Sequence, residues 1–135
     1  MKTKQDFISK IHLIISVFVV FPVAISYGFF PDLEFELFPK TIDEHNFYKA
    51  IMGLYIACAF IWMLGIFKTN YLKTALITNV VFMLGLGFGR ITSMLVDGLP
   101  TQGYVIGTFL ELFLGCYGIW VLVTQHQRTA NTKTD

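Results

Sequence analysis

The chain has 135 residues, 55% of them hydrophobic and only 14% charged, with a mean hydropathy of +0.63. An average soluble domain is about 25% charged, so a soluble fold of this length has no means of hiding so much apolar surface. A formal net charge of +1 offers no basic face to a phosphate backbone, which argues against nucleic acid as a partner.

A hydrocarbon core about 30 Å thick needs roughly 20 apolar residues per helical crossing, and four such runs follow one another. The first covers residues 11–30, after Lys2, Lys4 and Lys10, and stops at Pro31. Its basic start and the small residues Ala24 and Ser26 also fit a cleaved signal peptide. The apolar stretch nevertheless runs on through Tyr27, Gly28, Phe29 and Phe30, which favours a retained span. Pro22 inside this run removes a backbone donor and can kink the helix. An 18-residue loop, 31–48, leads to the second run. Within it Thr41-Ile42-Asp43-Glu44 reads as a capping box, so the second helix starts ahead of its apolar part and covers 42–67. The third helix covers about 74–97 and the fourth about 103–124. The prediction is one domain, residues 1–135, folded as an all-α integral membrane four-helix bundle. The polar residues after Gln125 are expected to be loose.

Orientation follows from the basic residues. Lys2, Lys4, Lys10, Lys68, Lys73, Arg128 and Lys133 fall on one side of the four crossings and Lys40 and Lys49 on the other, seven against two. The positive-inside rule then predicts a multi-pass protein of the cytoplasmic (inner) membrane with both termini and the 68–73 turn in the cytoplasm. Asp32, Glu34, Glu36, Asp43 and Glu44 lie outside on that reading. His45, beside Asp43 and Glu44, has metal-ligand chemistry, but sequence neighbours do not build a closed shell and no metal is expected. Cys58 and Cys116 lie in apolar runs without CxxC spacing and read as small buried residues. His12 reads as a hydrated residue near the cytoplasmic interface.

Two charges fall inside the spans. Arg90 lies seven residues before Asp97 and Glu111 seven after Tyr104, so at 1.5 Å per residue both sit on the order of 10 Å below the outer surface. A charge in hydrocarbon is costly, faces the bundle interior and needs a named partner; antiparallel neighbours joined by a short loop bring these two level. On the third helix Asn79, Leu86, Arg90, Ser93 and Asp97 share one stripe, predicted to face inward. On the fourth, Gly107 and Gly115 stand one turn either side of Glu111 and permit close backbone approach. Gly85, Gly87 and Gly89, and Gly53 with Ala57, offer similar flat surfaces; the GxxxG match at Gly85 and Gly89 points to internal packing ahead of a dimer. Ser16, Ser26 and Tyr27 of the first helix and Tyr55 of the second suggest a polar outer pocket. Aromatic packing alone also accounts for Tyr55 and Trp62. The ligand-binding candidates are Arg90, Glu111, Ser93, Asp97, Tyr55 and Tyr27.

The run Gly89-Arg90-Ile91-Thr92-Ser93-Met94-Leu95-Val96-Asp97-Gly98-Leu99-Pro100 resembles the signature of the DUF4345 membrane proteins. Gly53-Leu54-Tyr55 matches a G-x-Y element before it and Glu111 a glutamate after it, so the resemblance covers nearly the whole chain. It implies a compact four-helix bacterial membrane protein, loosely similar to DoxX-like bundles, with Arg90, Ser93, Asp97, Gly98 and Glu111 as signature residues of no assigned chemistry. It carries no activity and no cofactor.

Three functions compete. In the first, Arg90 and Glu111 line a pocket for a lipid headgroup, quinone or small polar molecule, Arg90 gripping an anionic group through its planar fork. In the second, the pair only locks two helices of an accessory subunit that meets a membrane protein partner or a second copy of itself. The third is an enzyme with Glu111 as general acid or base; no nucleophile, metal set or cofactor motif accompanies that carboxylate.

Overall fold

The computed structural model describes residues 2–131. Lys133, used in the charge asymmetry, lies outside the described residues, as do the side chains of Lys2, Lys4, Glu34 and Arg128. The elements in order are α1 (Lys2–Phe29), α2 (Pro31–Phe35), α3 (Ile42–Phe67), a 3-10 turn (Thr69–Tyr71), α4 (Leu72–Val96) and α5 (Gln102–Asn131). Four of the helices are long and apolar enough to cross a membrane. The protein is an all-α integral membrane four-helix bundle.

Local sequence sets the helix ends. Thr41 caps α3: its hydroxyl accepts the Glu44 N–H at 3.2 Å, while the Glu44 carboxylate accepts the Thr41 N–H at 3.0 Å, the reciprocal box expected there. Two differences from the expectation stand out. The loop after α1 contains the short helix α2, with Pro31 at its start and Glu36 in the left-handed region (φ 53) closing it. In addition α1 begins at Lys2 rather than near residue 11, because the polar residues 2–10 carry good helix formers and no Gly or Pro. That extension places His12 ten residues inside the helix instead of at its edge.

Each long helix packs chiefly on its sequence neighbours, α1 on α3, α3 on α4 and α4 on α5. The fourth seam, α1 on α5, closes the ring with the sparsest contact. An edge-to-face chain of rings runs through the core: Tyr27 to Tyr55 with centroids 5.8 Å apart, Tyr55 to Phe82 at 4.9 Å, and Phe82 to Trp62 at 5.3 Å. Trp62 and Asn79 are fully buried. Cys58 is half-buried, whereas Cys116 is exposed on the outer face of α5 and is not part of the core.

Because lipid tails are as apolar as leucine, helices in a bilayer associate through close packing more than through hydrophobic burial. The α4–α5 seam achieves this by exchanging knobs. A Cβ on Gly87 would fall 2.7 Å from a Leu112 methyl, and one on Gly115 would strike Leu84, 2.7 Å from its Cγ. Gly53, Gly85 and Gly89 were expected on packed faces, but a Cβ on any of them meets nothing within 4 Å. The reason is angular: Gly85 and Gly89 lie on the side of α4 opposite Gly87, which the seam takes. Gly107 was also expected at a tight contact, yet an added Cβ there meets only Arg90 Nη1, at an ordinary 3.7 Å. We expect Gly87→Leu and Gly115→Leu each to lower the unfolding temperature in detergent by well over what Gly85→Leu or Gly89→Leu does. Equal losses across the four variants would show that the seam is not where the bundle is tight.

Candidate functional site

The site is built where α4 and α5 turn back on each other. Arg90 Nη2 donates to Glu111 Oε1 at 3.0 Å, with only 17% and 13% of the two side chains exposed, and this is the one ion pair among the described residues. Nη2 also donates to the Tyr27 hydroxyl of α1 at a long 3.4 Å. The guanidinium carbon lies 5.0 Å from the centre of the Tyr104 ring, so that ring faces the charge as a cation–π partner. Tyr104 and Tyr27 interact through their hydroxyls, and Tyr55 completes the phenols around Arg90. The charge therefore sits between a carboxylate and three aromatic residues, which is how a cation is held at low dielectric without water.

Beside the pair lies a cavity of about 310 Å³, lined mainly by apolar side chains: Val19, Val20 and Val23 of α1, Met83 and Leu86 of α4, Ile106, Leu110 and Leu114 of α5. Tyr55, Arg90 and Glu111 supply its polar end, and Gly103 and Gly107 form part of its wall. Val19, Ile106 and Leu110 are also exposed on the outside of the bundle, so the cavity opens between α1 and α5. Glu111 Oε2 is buried and has no hydrogen-bond partner among the described residues.

Of the six candidate residues, four meet here. Arg90, Glu111 and Tyr55 line the cavity, and Tyr27 is bonded to Arg90. Ser93 and Asp97 do not. Both are exposed, and they bond to each other, Ser93 Oγ donating to Asp97 Oδ2 at 2.9 Å while the Asp97 N–H donates to the Ser93 carbonyl at 2.7 Å. The inward stripe ends at Arg90, since Ser93 and Asp97 are exposed. Ser93 and Asp97 finish the helix instead, and Gly98, at φ 102, makes the left-handed turn that follows. Ser26 lies outside the cavity lining, and Ser16, buried, donates to the His12 carbonyl at 3.0 Å elsewhere in the core.

Two residues of consequence were not singled out. Tyr104 lies in the first turn of α5, seven residues and so almost two turns above Glu111; the rule that a buried arginine favours an aromatic face could have drawn attention to it. His12, read as hydrated, is in fact fully buried. Its Nε2 lies 2.9 Å from the Leu114 carbonyl, and since a carbonyl only accepts, Nε2 carries the proton. Near it Gln125 Nε2 donates to Ser9 Oγ at 2.6 Å. These two bonds close the α1–α5 seam from the cavity's Leu114 edge to the far end of α5. Among the described residues no group of three or more His, Cys, Asp or Glu is placed to hold a metal ion, and His45 is exposed.

The profile of the domain of unknown function DUF4345 matches residues 8–122. The chain belongs to this family. No curated protein and no solved structure matches it. The matched region contains every residue of the cavity and the whole Arg90–Glu111 pair, so the site lies within the family's defining segment.

Removing one partner of a buried ion pair strands the other charge, at about 3 to 5 kcal/mol in general. Here we expect Arg90→Met and Glu111→Leu each to be strongly destabilising and the double variant to lose clearly less than their sum. Simple additivity of the three unfolding free energies would mean that the two charges are held independently.

Proposed function

We propose that this chain binds a lipid-like small molecule in the cavity at the Arg90–Glu111 pair, and that the molecule enters from the bilayer through the open half of the α1–α5 seam. The observation that carries this reading is the continuity of an apolar chamber with a single polar end. A volume of about 310 Å³ falls at the low end of ligand pockets, typically about 300–1,000 Å³, which combine an apolar lining with a few placed polar groups. Such a chamber suits the head and first carbons of an amphiphile whose tail stays in lipid. A purely structural ion pair needs no chamber, and tight helix packing would have filled it.

The same reading takes up the orientation argued from the basic residues. With both termini in the cytoplasm, the α4–α5 turn and the pair lie in the outer half of a cytoplasmic membrane, and the ligand is drawn from the outer leaflet. A reporter active only outside the cytoplasm should be silent when fused after Asp135 and active when inserted near Lys40; the reverse pattern would move the cavity to the inner leaflet.

Gly107 offers a direct test of occupancy. Its Cα borders the cavity and an added side chain has room to enter, so Gly107→Leu should fill the chamber with little change in unfolding temperature. Mass spectrometry of solubilised wild type should find a small molecule retained in a fixed ratio, and the Gly107→Leu protein should lose it. Retention of the same molecule by that variant would place its site elsewhere.

A further inference from the structure

The charges and donors at the cavity say which chemical class it takes, a step that rests on the binding reading above. Among the described residues of its lining Arg90 and Glu111 are the only formal charges, and they neutralise each other at 3.0 Å. A carboxylate or phosphate would have to draw Arg90 off Glu111 or leave an unbalanced negative charge in an apolar chamber, and an ammonium would face the guanidinium. Neither sign of charge is matched there.

The neutral pair still presents a donor to the chamber. The bonds from Arg90 at 3.0 and 3.4 Å both leave from Nη2, whereas Nη1 faces Gly107. A Cβ built on Gly107 stands 3.7 Å from Nη1 and meets nothing else within 4 Å. Gly107 and Arg90 both line the cavity, so that open space belongs to it and Nη1 borders it. Nη1 carries two N–H groups, so the Tyr55 hydroxyl at the same guanidinium does not use them up. Glu111 offers no comparable acceptor: Oε1 already takes the Arg90 bond, and Oε2 is buried out of reach. A hydroxyl would therefore bring a proton with no open acceptor to meet it, at the cost of an unmade bond, while a carbonyl oxygen only accepts. We propose that the ligand is an uncharged amphiphile whose polar end is a carbonyl oxygen accepting from Arg90 Nη1, with its hydrocarbon among Val19, Val23, Ile106 and Leu110.

The test measures saturable binding of four probes of equal chain length, 2-dodecanone, 1-dodecene, dodecanoate and dodecylammonium, to the protein in nanodiscs of ether-linked phosphatidylcholine. The Gly107→Leu protein serves as the background for partition into lipid. Wild type should bind the ketone at least about tenfold tighter than the alkene, since a bond from a charged donor is worth at least that factor, and tighter than either ion. The infrared stretch of a carbonyl-labelled ketone should lie at lower wavenumber when bound than in lipid alone. Arg90→Met combined with Glu111→Leu keeps the chamber neutral and removes the donor, so both the advantage over the alkene and the infrared shift should vanish. Repeating the series in ester-linked phosphatidylcholine separates two sources of the carbonyl: weaker ketone binding there means that the bilayer's own esters compete for Nη1, and unchanged binding means a free molecule. Equal binding of ketone and alkene, a preference of wild type for either ion, or an unshifted stretch overturns the carbonyl assignment while leaving a lipid-binding cavity in place. Absence of saturable binding by all four probes overturns the binding reading itself. The wild-type series and its infrared signature decide the matter even where the double variant fails to fold.

Discussion

A guanidinium in a bundle that meets hydrocarbon on its outside has no water to fall back on, and the arrangement of one end of this protein follows from that constraint. Arg90 effectively never gives up its proton, so its charge must be answered by the fold. Glu111 answers it across the α4–α5 seam at 3.0 Å, Tyr27 from α1 at 3.4 Å, and Tyr104 with its ring face at 5.0 Å. With Tyr55 of α3, all four long helices thus converge on one side chain. The glycine exchange between α4 and α5, Gly87 against Leu112 and Gly115 against Leu84, brings the two backbones close enough for the carboxylate to reach.

The α1–α5 seam shows the opposite economy. Beside the cavity the His12 Nε2–H reaches the Leu114 carbonyl and further along Gln125 reaches Ser9, two bonds that span more than a hundred residues of sequence. At the other end valines of α1 face Ile106 and Leu110 across open space. The seam is thus pinned from Leu114 to Gln125 and open beyond it. Polar groups and apolar wall then belong to the same chamber.

The residues on which the family resemblance rests divide into two parts with different physical work. Arg90 and Glu111 define the charged end of the chamber. Ser93, Asp97 and Gly98 instead shape the turn that lets α5 descend beside α4, with Gly98 in a backbone region that a Cβ would strain. Residues that stand together in one motif of the chain therefore need not share one site.

Much of this was legible from the residues alone. The apolar runs required four crossings, the Thr41–Glu44 spacing required a capped start for α3, and two charges at equal depth on adjacent antiparallel helices required each other, because hydrocarbon leaves a charge no other recourse. Periodicity also assigned Arg90 to an inward face. It could not say where that face stops: Ser93 and Asp97 keep the same phase as Arg90, yet both are exposed and bond to each other. Nor could spacing separate Gly87 from Gly85 and Gly89, since all three are equally small and only the rotation of α4 against α5 decides which one meets a leucine. His12 looked peripheral because its depth depends on where α1 begins, and the burial of its ring depends on a carbonyl 102 residues away. The chamber itself belongs to no segment. Composition, depth and charge dictate which groups must be buried and paired, and all three can be read along the chain. Where the helices fail to touch emerges only in the folded bundle, because a void is set by the packing of four surfaces at once.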